Sequence, residues 1–383
     1  MAARRPAATV AGFTMIELLI AMSMASVLML SMVQMFRSNR IAYDLVADVR
    51  GMEQNSRIGM DFMSRDFRKA GMGAHQDIPF MPVDNADTTT WAARNAGLAA
   101  LDHALLPGTD LTEMFWGYLP IPICVEVDGT GPTGFSTNNA NMKIPRISLM
   151  GLPDYSMTLT TQETSDLLEQ YNVLIYDPVC PVNVSCQQNL TGGGWNSAGG
   201  NLTVQLAYNR ANSNPDSANR PHTCMSFVNP PSGGCPSGVA CINIGEDMYY
   251  FVQVTTAEPN NPQLVRYNVG TGSIEVMSNY VEDFQILYGV DGVTATDVQD
   301  GMVTASEWLN GLEYNTNNSG PRTMMSRIFL LVRSNKEDNM LAAAGIKQNP
   351  QSIDNSTIAQ PANGGDYKRR RLISRTVRMR SVL

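Results

Sequence analysis

The 383-residue sequence is 43% hydrophobic and 16% charged, with a formal net charge of −8. That length can bury one large core or two modest ones. The acidic balance excludes a protein that grips polyanions with its whole surface, although a local basic patch remains open to it.

Residues 1–12 carry Arg4 and Arg5 and end in Gly12. Between Arg5 and Arg37 the one ionisable side chain is Glu17, and from Leu18 to Phe36 only Gln34, Ser23, Ser26 and Ser31 interrupt apolar or small residues. That is about the 20 residues a helix needs to cross a bilayer, so residues 13–36 are expected to span a membrane. A secretory signal fits less well, because its apolar region covers only about 7–15 residues. An ordinary signal anchor explains the apolar run but not Glu17. A carboxylate in hydrocarbon is costly and calls for a cation at its own depth. Cutting the chain after Gly12 would supply one, the new α-amine of Phe13, and would move the net charge from −8 to −10 by removing Arg4 and Arg5.

No proline occurs between Pro6 and Pro79, so nothing stops the helix at the lipid surface. Ile41, Leu45, Val49, Met52, Ser56, Gly59, Met63 and Ala70 recur at spacings of three, four or seven, one apolar or small stripe. Arg57, Asp61, Arg65 and Lys69 alternate in sign on another face, as solvated helix faces do. One helix is therefore expected from Phe13 to about Lys69, on the order of 85 Å long. Its second half, residues 37–72, would pack on a domain, and the Gly71-Met72-Gly73 segment would end it.

Residues 73–245 read as loop-rich β structure, with short strands expected at Ile121–Val127, Val173–Tyr176 and Val204–Tyr208. The run Gly129 to Gly134 spells G-x-G-x-x-G. Pro132 lies inside it and no helix pattern follows, so it reads as a turn and not as a nucleotide loop. Residues 246–383 are clearer. Strands are expected at Met248–Val254, Leu264–Val269, Ile274–Met277, Val281–Val290, Ile328–Val332 and Leu372–Met379, with a hairpin at Gly270–Ser273 and a short helix at Ala305–Asn310. The sum is an α+β fold, a long N-terminal α-helix packed on a C-terminal antiparallel β-sheet domain with long loops.

The short basic leader ending in Gly12, followed by Phe13-Thr14-Met15-Ile16-Glu17-Leu18, resembles the class III signal of type IV pilins and type II secretion pseudopilins. The resemblance implies a pilin-like fold and a prepilin peptidase that cleaves after Gly12 and methylates Phe13. It also implies that Glu17 neutralises the amino terminus of a neighbouring subunit. The segments Val281–Asp291, Ala305–Asn310, Arg327–Ser334 and the closing Arg-rich strand are similar to the PilW minor pilins. This second resemblance implies a minor pilin that initiates type IV pilus assembly in the inner membrane, with its C-terminal domain in the periplasm, and then sits at the pilus tip. Implied partners are other minor pilins, a tip adhesin, the major pilin and inner-membrane lipid. A type II secretion pseudopilin of the J type is the nearest alternative, and the length of the middle region argues against it.

The six cysteines, Cys124, Cys180, Cys186, Cys224, Cys235 and Cys241, all follow the apolar helix. An even count in an exported domain reads as disulfides, with 15 connectivities open to six cysteines. Cys180 with Cys186 and Cys235 with Cys241 would close two small loops of equal spacing and leave Cys124 for Cys224. Zinc held by His222, Cys224, Cys235 and Cys241 is the alternative, and it lacks the short C-x-x-C spacing of structural sites. Calcium at Asp291–Asp300 lacks the D-x-D-x-D-G order. Only His75, His103 and His222 could act as imidazole bases, and none sits in a catalytic motif, so neither an enzyme nor a cofactor is expected. The basic segment Lys368–Arg380 has two readings, a DNA-phosphate footprint and a sheet edge guarded by charge. Its alternation of Ile373, Val377 and Met379 favours the second.

Overall fold

The computed structural model describes residues 14–72, 80–84, 103–118, 123–126, 134–136, 141–168, 170–176, 186–195, 203–208, 239–268, 271–292, 301–316, 322–348, 353 and 365–379. Helix α1 spans Met15–Lys69. Thr14 caps it and Glu17, three residues on, closes a capping box. At its other end Gly71 takes a left-handed φ of 78°, and the chain leaves along a strand through Gly71 N donating to Phe115 O at 2.9 Å.

The strands in chain order are β1 Phe80–Val83, β2 His103–Leu105, β3 Leu111–Gly117, β4 Ile123–Glu126, β5 Gly134–Ser136 and β6 Asn141–Pro145. After helix α2, Thr161–Leu168, come β7 Asn172–Tyr176, β8 Cys186–Trp195, β9 Thr203–Tyr208 and β10 Val239–Thr255. Next are β11 Gln263–Asn268, β12 Ser273–Asn279, β13 Val281–Asp291 and β14 Trp308–Leu309. Helix α3, Gly311–Thr316, precedes β15 Arg322–Arg333, and helix α4, Asn339–Ala344, precedes β16 Arg370–Arg378. The strands form two sheets rather than one. A 12-stranded sheet is organised on β10, and a 4-stranded sheet has the order β14-β13-β15-β16. All described pairings are antiparallel.

At 17 residues, β10 is long enough to serve two neighbourhoods. Its first residues pair with β4 and β7, and its later ones with β3, β11 and β2. Gly245 is needed where they meet, since a side chain there would strike the Trp116 carbonyl. The expected helix at Ala305–Asn310 is corrected. Only Ala305–Glu307 turn, as a 3-10 segment, because Trp308 and Leu309 pair with Gly289 and Tyr288 of β13.

The main core lies under the C-terminal part of α1, which covers both sheets. Met52, Met60, Met63 and Phe67 meet Met114, Met248, Tyr250, Val252 and Leu264 of the large sheet. Phe284, Ile286, Tyr288, Ile328, Leu330 and Val377 come from the small one. At about 1.5–3 kcal/mol per buried side chain, the four helix residues contribute on the order of 6–12 kcal/mol before ordering costs. Gly59 sits on β12, where a side chain would meet Ser278 Cβ at 3.2 Å and Met277 O at 3.4 Å. Its smallness lets the helix approach the strand.

Candidate assembly site on helix α1

Helix α1 divides at Met52. Residues 14–44 are exposed throughout, and the stripe residues Ile41, Leu45 and Val49 are exposed or half-buried. Burial begins at Met52 and takes in Ser56, Gly59, Met63 and Ala70, as the stripe predicts. The exposed part includes a stretch long and apolar enough to cross a membrane. Its amino end holds Glu17, whose Oε2 accepts from Thr14 N and Thr14 Oγ1, both at 2.9 Å. In return Glu17 N donates to Thr14 Oγ1 at 3.3 Å. The carboxylate thus satisfies its own helix terminus and faces outward. Gly12 and Phe13 lie outside the described residues.

Polar contacts lock the second half of α1 to the sheets. Asp66 is 1% exposed. Its Oδ2 accepts from Tyr250 Oη at 2.6 Å and lies 3.3 Å from Arg266 Nη1, while Lys69 Nζ is 3.7 Å from Oδ1. Burial first, and then the Asp66 charge, push the Tyr250 hydroxyl well above its usual pKa, so it remains a donor. Sequence reading missed this cluster, although a signal was present. The apolar stripe jumps seven residues from Met63 to Ala70, and the vacant position three residues after Met63 is Asp66. A charge on a buried stripe requires partners.

Two further ion pairs join α1 to the Arg-rich last strand, Glu53 with Arg371 and Asp61 with Arg375. Both are partly or largely exposed, so each is worth little by itself. The buried pair lies beside them. Glu282 occupies the bulge where the β13–β15 register shifts, and it holds Arg370 in a fork, Nε–Oε2 2.6 Å and Nη2–Oε1 2.9 Å. Arg333 Nη1 reaches the same carboxylate at 3.2 Å. Asp366 takes Arg370 from the other side at 2.7 Å and 3.1 Å. Burial would raise the Asp366 carboxyl, but the Arg370 hydrogen bonds outweigh it and hold the group below the usual range. Asp338 is lowered in the same way by Arg369 and by the N–H groups of Met340 and Leu341. Of the seven cations in Lys368–Arg380, the arginines 369, 370, 371 and 375 therefore face carboxylates of this chain.

Cys180, Cys224, Cys235, His75 and His222 lie outside the described residues, whereas Cys124, Cys186 and Cys241 stand in β4, β8 and β10. Among the described residues no group of three His, Cys, Asp or Glu side chains is placed to hold a metal ion. Asp291 Oδ2 instead accepts from Gly301 N at 2.9 Å, closing the loop that follows β13. Residues 293–300 of that loop are outside the described set.

The family described as Type IV Pilus-assembly protein W (PilW) matches residues 249–381. No curated protein and no solved structure matches the chain. The matched third of the chain runs from the middle of β10 past the end of β16, and ties this region to type IV pilus assembly. It holds Tyr250, Arg266, Glu282, Arg370, Arg371 and Arg375, the sheet side of the side-chain polar contacts described above. The helix side, with Glu53, Asp61 and Asp66, precedes it.

Proposed function

We propose that this chain is a minor pilin that primes type IV pilus assembly and joins the tip complex. Its leader is removed between Gly12 and Phe13, residues 13–36 anchor it in the inner membrane, and its β domain faces the periplasm. The observation that carries this reading is one continuous helix. Its exposed apolar stretch, residues 15–36, bears a single carboxylate, Glu17, and its buried half is clamped to a domain whose C-terminal part resembles the PilW family. The same match favours a pilus over a secretion pseudopilus. Pairing of the Arg-rich strand with carboxylates of its own chain favours a structural use of that strand over DNA binding. The reading assigns the protein no catalytic step. It acts by offering a helix to other pilins and by presenting a domain to its partners in the complex.

Mass analysis of the membrane-extracted chain tests the proposal. Its amino terminus is expected at Phe13 with a methyl group, and Gly12→Val is expected to keep the leader. A mature protein that still begins at Met1 would overturn the assignment, as would unchanged surface piliation after deletion of the gene.

A further inference from the structure

In β4 and β10 the antiparallel register pairs Val239 with Glu126, Ala240 with Val125, Cys241 with Cys124 and Ile242 with Ile123. Two cysteines 117 positions apart in the chain thus stand directly opposite each other in one ladder. Opposed residues of an antiparallel pair have Cα atoms about 4.5 or 5.5 Å apart. Both values fall inside the roughly 4.4–6.8 Å window that a disulfide requires. We propose that Cys124 and Cys241 form a disulfide across β4 and β10, closing the base of the segment between them.

The register also argues against the competing partners within the sheet. On its other edge Cys241 opposes Tyr176 of β7, and Cys186 of β8 opposes Ile175. Cys186 is therefore two strands from Cys241, roughly 9.6 Å at the usual strand spacing, beyond the reach of about 7 Å. Both in-plane neighbours of Cys241 are taken, by Cys124 and Tyr176. The cross-strand bond thus replaces two of the pairs that spacing suggests, Cys124 with Cys224 and Cys235 with Cys241. It leaves Cys180, Cys186, Cys224 and Cys235 to pair among themselves, with three connectivities open to them. In the reaction the two thiols lose two protons and two electrons. The electrons pass to the disulfide of an exported thiol oxidase, which is reduced to a dithiol as the Cys124–Cys241 bond forms.

The bond would fasten residues 125–240 at their root. From that point β10 continues into the region matched by the pilus-assembly family, so the insertion and the matched domain would share a covalently fixed strand.

The test uses the full-length chain extracted from membranes, denatured without reductant and alkylated. In the wild type neither Cys124 nor Cys241 is expected to take label. In Cys124→Ser one thiol is expected to become labelled, and tandem mass spectrometry should place it on Cys241. Label on Cys224 or Cys235 instead, or free thiols at 124 and 241 in the wild type, would overturn the proposal. Should the variant fail to accumulate, acid-stable peptic digestion of the wild type decides the matter. A linked peptide pair carrying Cys124 and Cys241 supports the bond, and Cys124 linked elsewhere refutes it. The amino-terminal mass from the same sample reports leader processing separately, so failure of the bond and failure of the pilin reading remain distinguishable.

Discussion

Removing the Asp66 carboxylate should loosen the helix from its domain more than any exposed ion pair does. Asp66 accepts a 2.6 Å hydrogen bond from Tyr250 and faces Arg266 at 3.3 Å in a nearly water-free position. Breaking one side of a buried charge pair costs about 3–5 kcal/mol. Arg266 is partly exposed and keeps Glu275 at 3.7 Å, so Asp66→Ala belongs near the lower end, about 3 kcal/mol. Tyr250→Phe keeps the ring and loses one hydrogen bond to a charged group, about 1.5–3 kcal/mol. Because the two share that bond, the double variant should be less destabilised than the sum, by roughly 1–2 kcal/mol. Urea unfolding of the detergent-solubilised chain measures all three. Tryptophan fluorescence is a suitable probe, since Trp116 is buried with Lys69 Nζ 5.1 Å from its ring centre. An Asp66→Ala midpoint indistinguishable from wild type would refute the claim that this cluster fixes the helix, and strictly additive effects would refute the claim that the two residues act through one bond.

Gly59→Val should destabilise the chain by about 1–3 kcal/mol, since a branched side chain cannot fit between α1 and Ser278 without separating them. Gly51→Val, where nothing lies within 4 Å, is the control and should leave stability unchanged or slightly raised, because valine is a better helix residue than glycine. Stability should also depend on acid in a defined window. Asp338 and Asp366 have folded pKa values below their usual ones. Their contribution is therefore fully present above the unfolded value of about 4 and lost as pH falls through the lowered folded values. Urea midpoints should be flat between about pH 7 and 5 with respect to these groups and should drop below about 4. Asp366→Asn should start lower at neutral pH and drop less, and an equal drop in both proteins would remove Asp366 from the account.

What was legible in the sequence follows the strength of each periodic signal. Helix α1 was readable to within two residues, because an apolar run, a stripe, a charge alternation and a glycine stop succeed one another over more than fifty positions without a proline. Strands β11, β12, β13 and β16 were placed within two or three residues, where alternation and turn residues coincide. The division into two sheets was not readable. Strands β12 and β13 follow one another with only Tyr280 between them, and the left-handed φ of 59° that redirects the chain falls on this tyrosine rather than on a glycine or asparagine. The length of β10 was also hidden, because its first residues belong to an insertion with little pattern. In the candidate site Glu17 was visible as an anomaly of charge. Asp66 was visible only as a missing position in a stripe, and Glu282 owes its role to a bulge that no local pattern marks. The pairing of Arg371 and Arg375 in β16 depends on α1, more than 300 positions earlier in the chain, and no local signal carries such a contact.

The central claim, that α1 enters an assembly through Glu17, is tested most directly by Glu17→Gln at the native locus. Glutamine at this position can still complete the capping box with Thr14, so the helix terminus is preserved and only the negative charge is lost. The account predicts a chain that is cleaved after Gly12 and resident in the inner membrane but absent from complexes with the other minor pilins, on cells bearing few or no surface pili. Normal piliation with the variant recovered in those complexes would contradict it, and would leave the β domain alone to position the subunit.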